Sequence, residues 1–431
     1  MATGKVLNTQ RSNRIPLGLK AERKHHVITH NPSSANPKET LYVRIPRLTE
    51  NTFYVPGSVY LSADVDISGD AKNSVVNNLG RNLVSKLVVK FGTETILHID
   101  NYNIYASFKD LWLTKEERKN RVFQGIQGEK LRALRSGVTA ANVTGETAND
   151  TALNAVYGEK YQIPLDFELL STHAPFYKFP IQEDVIFELT LAPKTDIIVT
   201  ATTANMDYKL KNICLEYDTI TNVTLASQLT NNYNRGLSIL YDWIDHFKTV
   251  KVTRTNTLIN ENLNFPRRSI KGILILFISD YTDGTRDSEK FENPDISKVK
   301  VTIEGVANKI YPEGMRMIDQ WPEIKKHFMS ENIKKSEDCY MNIENYYGDK
   351  NHYALWLDLR TTEDNELHGS GKALQNTKDG IQLEITKDGT KGPYQMHIFI
   401  VSDAQFNIQN CQLVSVQYRS EEHTSELQSP D

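Results

Sequence analysis

The fold of this chain is decided by YDWIDHFKTVKVTRTNTLINENLNFPRRSIKGILILFIS, residues Tyr241–Ser279. Apolar and polar side chains alternate in its first part, and its last part, Ile273–Ile278, is a solid apolar block. Alternation is typical of a strand with one face in the core, and a continuous apolar run favours a strand buried on both faces. Asn260–Asn262 predicts a polar turn between them, and Pro266 suits a strand entrance because proline cannot donate to a ladder. The stretch predicts paired strands that open the second half of the chain.

Length and composition allow two domains of ordinary size. The chain has 431 residues, 39% hydrophobic and 24% charged, with a net charge of −4. These values describe a soluble globular chain without a general signal for nucleic-acid or membrane binding. No apolar run approaches the ~20 residues of a membrane helix, and the N-terminus lacks the apolar core of a signal peptide. Cys214, Cys339 and Cys411 are too few and too far apart for a disulfide framework or a zinc site, which favours synthesis in a reducing compartment.

The N-terminal segment, residues 1–28, reads as a basic arm. It holds six lysines and arginines against one acid, Glu22. It is either a solvated, poorly ordered terminus or an arm that contacts a neighbouring subunit or nucleic acid.

The C-terminal segment, residues 419–431, has a different origin in our interpretation. Its RSEEHTSELQS resembles the conceptual translation of a common sequencing-library adapter. We therefore expect the native sequence to be represented only to about Tyr418.

Helical spacing is clear in one region, near residues 104–135. Thr114 and Glu117 fit a capping box there. Residues 137–150 are small and polar and predict an exposed loop, and residues 321–329 predict a short helix in the second half. The remaining periodic segments predict strands of about modal length.

Two segments in the first half are echoed in the second. SKLVVKFG (Ser85–Gly92) is similar to SKVKVTIEG (Ser297–Gly305), 212 positions later (297 − 85), and Leu210–Tyr217 is similar to Ile408–Val416. Two echoes in the same order favour two copies of one β domain. We place the first copy at residues 29–225 and the second at residues 226–418.

Many strands and few helices favour sandwiches of two sheets, which hide most strand edges. Strand patterns alone fit an immunoglobulin-like sandwich or an eight-stranded jelly roll. The helical excursion at 104–135 and the long loop at 361–380 favour the latter. The predicted fold is all-β, with two tandem eight-stranded jelly rolls and a helical insertion in the first.

None of the candidate chemical motifs holds. HGSGK (His368–Lys372) lacks the earlier glycine and the final Ser or Thr of a phosphate loop, so it predicts a glycine-rich turn. Asp245 and His246, considered with Asp242 as a base with its orienting carboxylate, would face opposite sides of a strand. His25 and His26 lack a spaced metal-ligating partner. We predict no catalytic, cofactor-binding or metal-binding residues, and no enzyme. The four tryptophans are expected to be core or interface anchors.

Four longer segments resemble a known family. They are Asn77–Leu113, Leu258–Phe277, Pro294–Met315 and Leu355–Ile385. Over residues 38–418 the chain resembles the hexon-like, double jelly-roll major capsid proteins of Polinton (Maverick) elements and adintovirus-like double-stranded DNA viruses. The motifs are structural, and the family supplies no catalytic residues.

The resemblance implies a virion protein with a structural role. Three copies would form a pseudo-hexagonal capsomer that tiles an icosahedral shell. The implied partners are further copies of the chain, neighbouring capsomers, vertex and minor capsid proteins, and double-stranded DNA at most through the basic arm. The segments 104–135 and 361–380 are expected to make capsomer contacts. The alternatives are a minor capsid or vertex protein, an adhesion or carbohydrate-binding sandwich, and a hydrolase on a β scaffold.

Overall fold

The computed structural model describes residues 21–48, 51–55, 57–69, 72–165, 183–200, 206–224, 226–227, 231, 236–265, 267, 269–281, 284–329, 338–348, 350–361, 371–374, 380–409 and 412–417. The interpretations of residues 1–20, Pro266, Cys411 and residues 419–431 lie outside this described part, as do those of residues 362–370 (with His368–Ser370) and 375–379 of the predicted loop at 361–380.

Strands dominate both halves of the chain, and the strand pairs formed by the described residues are all antiparallel. The first half contains β1 (Glu22–Thr29), β2 (Thr40–Ile45), β3 (Thr52–Tyr54), β4 (Tyr60–Ser68), β5 (Ser74–Val75), β6 (Val84–Phe91), β7 (Glu94–Asp100), β8 (Lys160–Pro164), β9 (Val185–Leu191), β10 (Ile198–Val199) and β11 (Asp207–Thr221). The second contains β12 (Leu237–Val252), β13 (Leu258–Leu263), β14 (Ile270–Ser279), β15 (Ile296–Ile303), β16 (Val306–Ala307), β17 (Met315–Arg316), β18 (Leu355–Asp358), β19 (Ile381–Lys387), β20 (Tyr394–Gln409) and β21 (Gln412–Gln417).

Helices lie in the connections between strands. They are α1 (Leu79–Asn82), α2 (Tyr102–Asp110), α3 (Lys115–Asn120), α4 (Glu129–Arg135), α5 (Ala148–Tyr157), α6 (Lys194–Ile197), α7 (Met317–Phe328) and α8 (Ile343–Tyr347), with 3₁₀ turns at Val122–Gln124 and Ala140–Asn142.

Both halves have one topology. The first half forms sheets in the order β1-β11-β4-β8 and β2-β9-β6-β7, and the second forms β12-β20-β14-β18 and β13-β19-β15-β16. Counting the eight principal strands of each half along the chain, one sheet holds the first, eighth, third and sixth, and the other holds the second, seventh, fourth and fifth. This is the two-sheet, eight-stranded arrangement of a jelly roll. The prediction of two tandem jelly rolls is confirmed.

The echo at Ser85 and Ser297 is structural as well as sequential. Each serine lies at a bulge between β6 and β9 or between β15 and β19. The Ser85 hydroxyl donates to the Thr190 carbonyl at 3.0 Å, and the Ser297 hydroxyl donates to the Thr386 carbonyl at 3.3 Å. A bulge bends a strand locally. The same serine–carbonyl hydrogen bond therefore accompanies the same bend in both jelly rolls.

The second echo was misaligned. β11 contains Leu210–Tyr217, and its counterpart by topology is β20. Ile408–Val416 instead runs from the end of β20 through the separate strand β21. Short strands with alternating side chains resemble each other readily. The similarity between Leu210–Tyr217 and Ile408–Val416 therefore does not show which residues of the two jelly rolls correspond.

Three local predictions are corrected. Residues 22–28, assigned to the basic arm, belong to β1, which pairs along β11. Asn260–Asn262, predicted as a turn, lies in β13, where Ile259 and Leu263 face the core. Part of the predicted loop at 137–150 is the start of α5, which begins with a capping box of Thr147 and Asp150.

Helical insertions occur in both halves at the same place. The first lies between β7 and β8 and holds α2 to α5, which includes the predicted region at 104–135. The second lies between β16 and β18 and holds α7 and α8, which includes the predicted helix at 321–329. The prediction placed such an insertion only in the first half.

One hydrophobic core runs through both jelly rolls. Along β4, Leu61, Ala63 and Val65 are buried and their neighbours are partly exposed, as expected for a strand with one core face. Along β14, all residues from Leu274 to Phe277 are fully buried. The apolar block predicted to be buried on both faces is therefore confirmed.

Candidate functional site: the seam between the jelly rolls

The two jelly rolls meet along a surface that we call the seam. The first jelly roll contributes β7 and the helices α2 and α3, and the second contributes β12, β20, the β14–β15 loop (residues 280–295) and α7. Many of the contacts described below join residues more than 140 positions apart. The seam fixes one jelly roll against the other.

Strand β12 lies against strand β7 at one end of the seam. The Tyr241 hydroxyl donates to the Ile96 carbonyl at 2.7 Å. The side-chain amide of Asn101, just after β7, lies 3.2 Å from the His246 ring nitrogen. Ile96 is 0% exposed, and Ile244 in the middle of β12 is 9% exposed. Strands β7 and β12 are therefore in contact across the seam, and both residues are buried.

Aromatic rings fill the middle of the seam. Phe108 of α2 has its ring centroid 5.4 Å from those of both Phe291 and Phe328. Trp112 stacks on Trp321 with a centroid separation of 5.8 Å. Such pairs contribute about 0.5–1.5 kcal/mol each beyond the area they bury. Trp112 and Trp321 are thus interface anchors, and Trp243 and Trp356 are core residues at 3% and 0% exposure.

A buried ion pair crosses the seam beside the rings. Arg118 of α3 donates to Glu289 of the β14–β15 loop at 2.7 Å, and the amide of Asn77 donates to the same carboxylate at 2.8 Å. The Arg118 guanidinium also lies 4.1 Å from the Tyr340 ring centroid. An ion pair taken out of water needs such additional partners, because each charge has lost its hydration.

A second polar contact joins the β14–β15 loop to α6. Asp196 accepts from the Tyr281 hydroxyl at 2.7 Å and pairs with Arg286 at 2.8 Å. Burial raises the pKa of Tyr281 to about 12. This tyrosine therefore stays a hydrogen-bond donor over the whole neutral range.

Buried histidines lie in and near the seam. Burial, with the nearby His246, lowers the pKa of His397 to about 3, and burial lowers the pKa of His246 as well. Burial, with the nearby Arg118, lowers the pKa of His352 to about 4. These rings are neutral at pH 7, and protonating them in the folded chain is unfavourable.

The residues weighed as chemical candidates are held in structural contacts. Asp242 pairs with Lys271, and Asp245 with Arg267, so neither orients His246. His25 binds Asp218, whose hydrogen bond raises the pKa of His25. No cluster of three or more His, Cys, Asp or Glu residues that could hold a metal ion occurs among the described residues.

The described end of the glycine-rich motif is also structural. The Gly371 amide donates to the Ser269 hydroxyl at 2.8 Å, and Lys372 forms a bridge with Ile270. A Cβ at Gly371 would lie 2.4 Å from the Ile270 backbone. Glycine is needed here for close approach of two backbone segments, as in a packed turn.

Comparison with known proteins rests on structure. No protein-family model and no curated protein matches the chain. Among solved structures, a quasi-atomic model of the PBCV-1 virus capsid matches with a TM-score of 0.60 at 10% identity, covering 94% of this chain and 98% of that chain. The Faustovirus major capsid protein matches with a TM-score of 0.57 at 8% identity, covering 94% of both chains. The mavirus major capsid protein matches with a TM-score of 0.55 at 8% identity, covering 97% of this chain and 94% of that chain.

The chain is a double jelly roll. These neighbours are double jelly-roll major capsid proteins of large DNA viruses and virophages. Each match spans nearly all of both chains, so the likeness includes both jelly rolls of this chain.

Proposed function

We propose that this chain is the major capsid protein of an icosahedral double-stranded DNA virus. Three copies form a pseudo-hexagonal capsomer, and the capsomers tile the shell. The observation that carries the proposal is the match of the whole double jelly roll, over 94–97% of the chain, to major capsid proteins.

The seam supports the same role on physical grounds. Its aromatic cluster and buried ion pair hold two similar domains in one fixed arrangement. Three chains, each with two similar domains, present six similar units around one axis, which suits a hexagonal tile. A protein that tiles a shell needs a rigid, roughly hexagonal outline and does not need a catalytic site. The expectation that the chain is not an enzyme remains part of the proposal.

The finer assignments follow the sequence resemblance. We place the virus near the Polinton and adintovirus-like group, and the chain in the virion. Its partners are neighbouring capsomers, vertex proteins and minor capsid proteins, with DNA contacted at most by the N-terminal arm. Residues 419–431 are proposed to be foreign to the native protein. No helix among the described residues is long and apolar enough to cross a membrane.

A minor capsid or vertex protein is the main alternative, and an adhesion or carbohydrate-binding sandwich is another. A minor capsid protein would normally need only one jelly roll. The Ser85 and Ser297 bulges show that this chain carries two copies with matching register. The presence of both complete copies favours the major capsid role.

Electron microscopy of the purified chain tests the proposal. We expect compact particles with a pseudo-hexagonal outline and three-fold symmetry. Single two-lobed particles at micromolar concentration would contradict the capsomer.

A further inference from the structure

The seam uses a different face of each jelly roll. The first jelly roll presents its fifth strand, β7, and the start of the following helix, and the second presents its first strand, β12. Each of these faces has an equivalent by topology on the other jelly roll. The equivalents are β1 on the first jelly roll, and β16 with the start of α7 on the second.

Strand register aligns β1 with β12 residue by residue. Tyr60 and Gly272, 212 positions apart (272 − 60), each face the last residue of the sixth strand of their jelly roll. Tyr60 pairs with Glu216, which pairs with Val27. Gly272 pairs with Val401, which pairs with Ile244. Val27 therefore corresponds to Ile244, and two residues later Thr29 corresponds to His246.

The residues paired with the start of the fourth strands, β6 and β15, align in the same way. In the second jelly roll this partner is the short strand β17, which pairs with β15 beyond β16. Lys86 and Lys298 are also 212 positions apart (298 − 86) and follow matching bulges. Lys86 pairs with Asp100, and Lys298 pairs with Arg316. Asn101, which contacts His246 in the seam, therefore corresponds to Met317.

The corresponding residues differ in exposure. Ile244 is 9% exposed, whereas Val27 is 58% exposed and its neighbour Ile28 is 41% exposed. On the second face, Met317 is 40% exposed and Ile318 is 73% exposed. These exposed apolar residues occupy positions whose equivalents on the other jelly roll, Ile244 and Asn101, lie in the seam.

More apolar residues surround this second face. Val306 of β16 is 63% exposed, and Ile343 of α8 is 54% exposed. α8 lies beside the start of α7, because the Tyr347 hydroxyl donates to the Met317 carbonyl at 2.6 Å. Of the twelve large hydrophobic residues exposed among the described residues, six lie on β1, on β16 or at the starts of α7 and α8, so half of this exposure belongs to the two faces and their border.

We propose that β1 of one copy packs against β16 and the start of α7 of a second copy, repeating the seam between chains. The occupant of each face is thus another copy of this chain, and the inference rests on the proposed capsomer. An exposed edge strand and an exposed apolar patch both favour aggregation, and burial against an assembly partner prevents it. The contact joins different faces, so it runs head to tail and closes into a ring after three chains.

Charge substitutions test the two faces separately. Val27→Glu and Ile318→Glu each place a carboxylate on one proposed face, and both positions are exposed in the single chain, so the fold is retained. Val156→Glu, at a position 73% exposed on α5, is the matched control. We expect the trimer dissociation constant of the first two variants to rise at least tenfold, measured on dilution, and that of the control to match the wild type. The melting temperatures of the monomeric forms should be the same for all variants.

Cross-linking tests the pairing itself. In a Cys214→Ser/Cys411→Ser background, Thr29→Cys with Met317→Cys is treated with a short bifunctional maleimide. The double variant is expected to form covalent trimers, whereas an equal mixture of the two single variants forms covalent dimers that contain one of each.

The outcomes separate two failures. A monomeric wild-type chain overturns the proposed capsomer and this inference with it. A trimeric wild-type chain whose Val27→Glu and Ile318→Glu variants stay trimeric, or whose double cysteine variant forms no covalent trimer, overturns this inference alone.

Discussion

Arg118 and Glu289 form an ion pair across the seam at 2.7 Å, with side chains 6% and 11% exposed. Removing one partner leaves the other charge buried and unpaired, which typically costs about 3–5 kcal/mol. We expect Arg118→Met to lower the free energy of unfolding by about 3 kcal/mol, measured by denaturant titration.

The control for this substitution is Lys211→Met. Lys211 pairs with Asp66, but their side chains are 50% and 43% exposed. Exposed pairs contribute about 0–1 kcal/mol. Equal effects of the two substitutions would show that the Arg118 pair does not stabilise the seam.

Phe108→Ala should loosen the two jelly rolls from each other. Phe108 is 0% exposed and contacts Phe291 and Phe328 of the second jelly roll. Truncating a buried phenylalanine costs about 3–5 kcal/mol. Phe187→Ala, in the core of the first jelly roll at 0% exposure, should cost as much.

Limited proteolysis distinguishes these two variants. Only Phe108→Ala should speed cleavage between β11 and β12, because Phe108 contacts the other jelly roll whereas Phe187 lies in the core of one jelly roll. Identical cleavage rates in both variants would argue against Phe108 as a seam anchor.

Stability should fall as the pH is lowered below about 6.5. Burial lowers the pKa of His397 to about 3 in the folded chain, whereas an unfolded histidine titrates near 6.5. Between these values the unfolded state binds more protons, so the free energy of unfolding falls with decreasing pH. Each such histidine contributes about 1.4 kcal/mol per pH unit.

The His397→Gln variant isolates one of these protons. Between pH 6 and pH 4, the slope of its unfolding free energy against pH should be smaller than that of the wild type. The difference corresponds to about one proton, or about 1.4 kcal/mol per pH unit. An unchanged slope in His397→Gln would mean that this ring binds its proton equally in the folded and unfolded chains.

Gly371→Ala should destabilise the chain by about 1–3 kcal/mol, the usual cost of overpacking. A Cβ there would lie 2.4 Å from the Ile270 backbone. Gly128→Ala is the control, since no atom lies within 4 Å of a Cβ at that position. We expect it to cost less than about 1 kcal/mol, and thermal unfolding of both variants measures the difference.

Local signals in the sequence were sufficient for most of the fold. The strand β14 is a continuous apolar block, and the Ser85 and Ser297 segments preserve the same bulge, so both could be predicted. β1 was missed because an edge strand has little core contact and its residues are mostly charged or polar. The start of α5 was missed although Thr147 and Asp150 already formed a capping-box signal.

The seam itself could not be predicted from periodicity. Phe108 meets Phe291, and Arg118 meets Glu289, across more than 170 positions. Nothing in the local pattern of either residue specifies its partner, because burial against another domain looks the same in sequence as burial in a core. The tryptophans were predicted to be anchors, but their pairing required the structure.

The mass of the full chain in solution tests the central claim most directly. Light scattering after size-exclusion chromatography should give a species of three times the 49.2 kDa chain mass that persists on dilution. A clean monomer at the same concentrations would contradict the capsomer and favour a binding module.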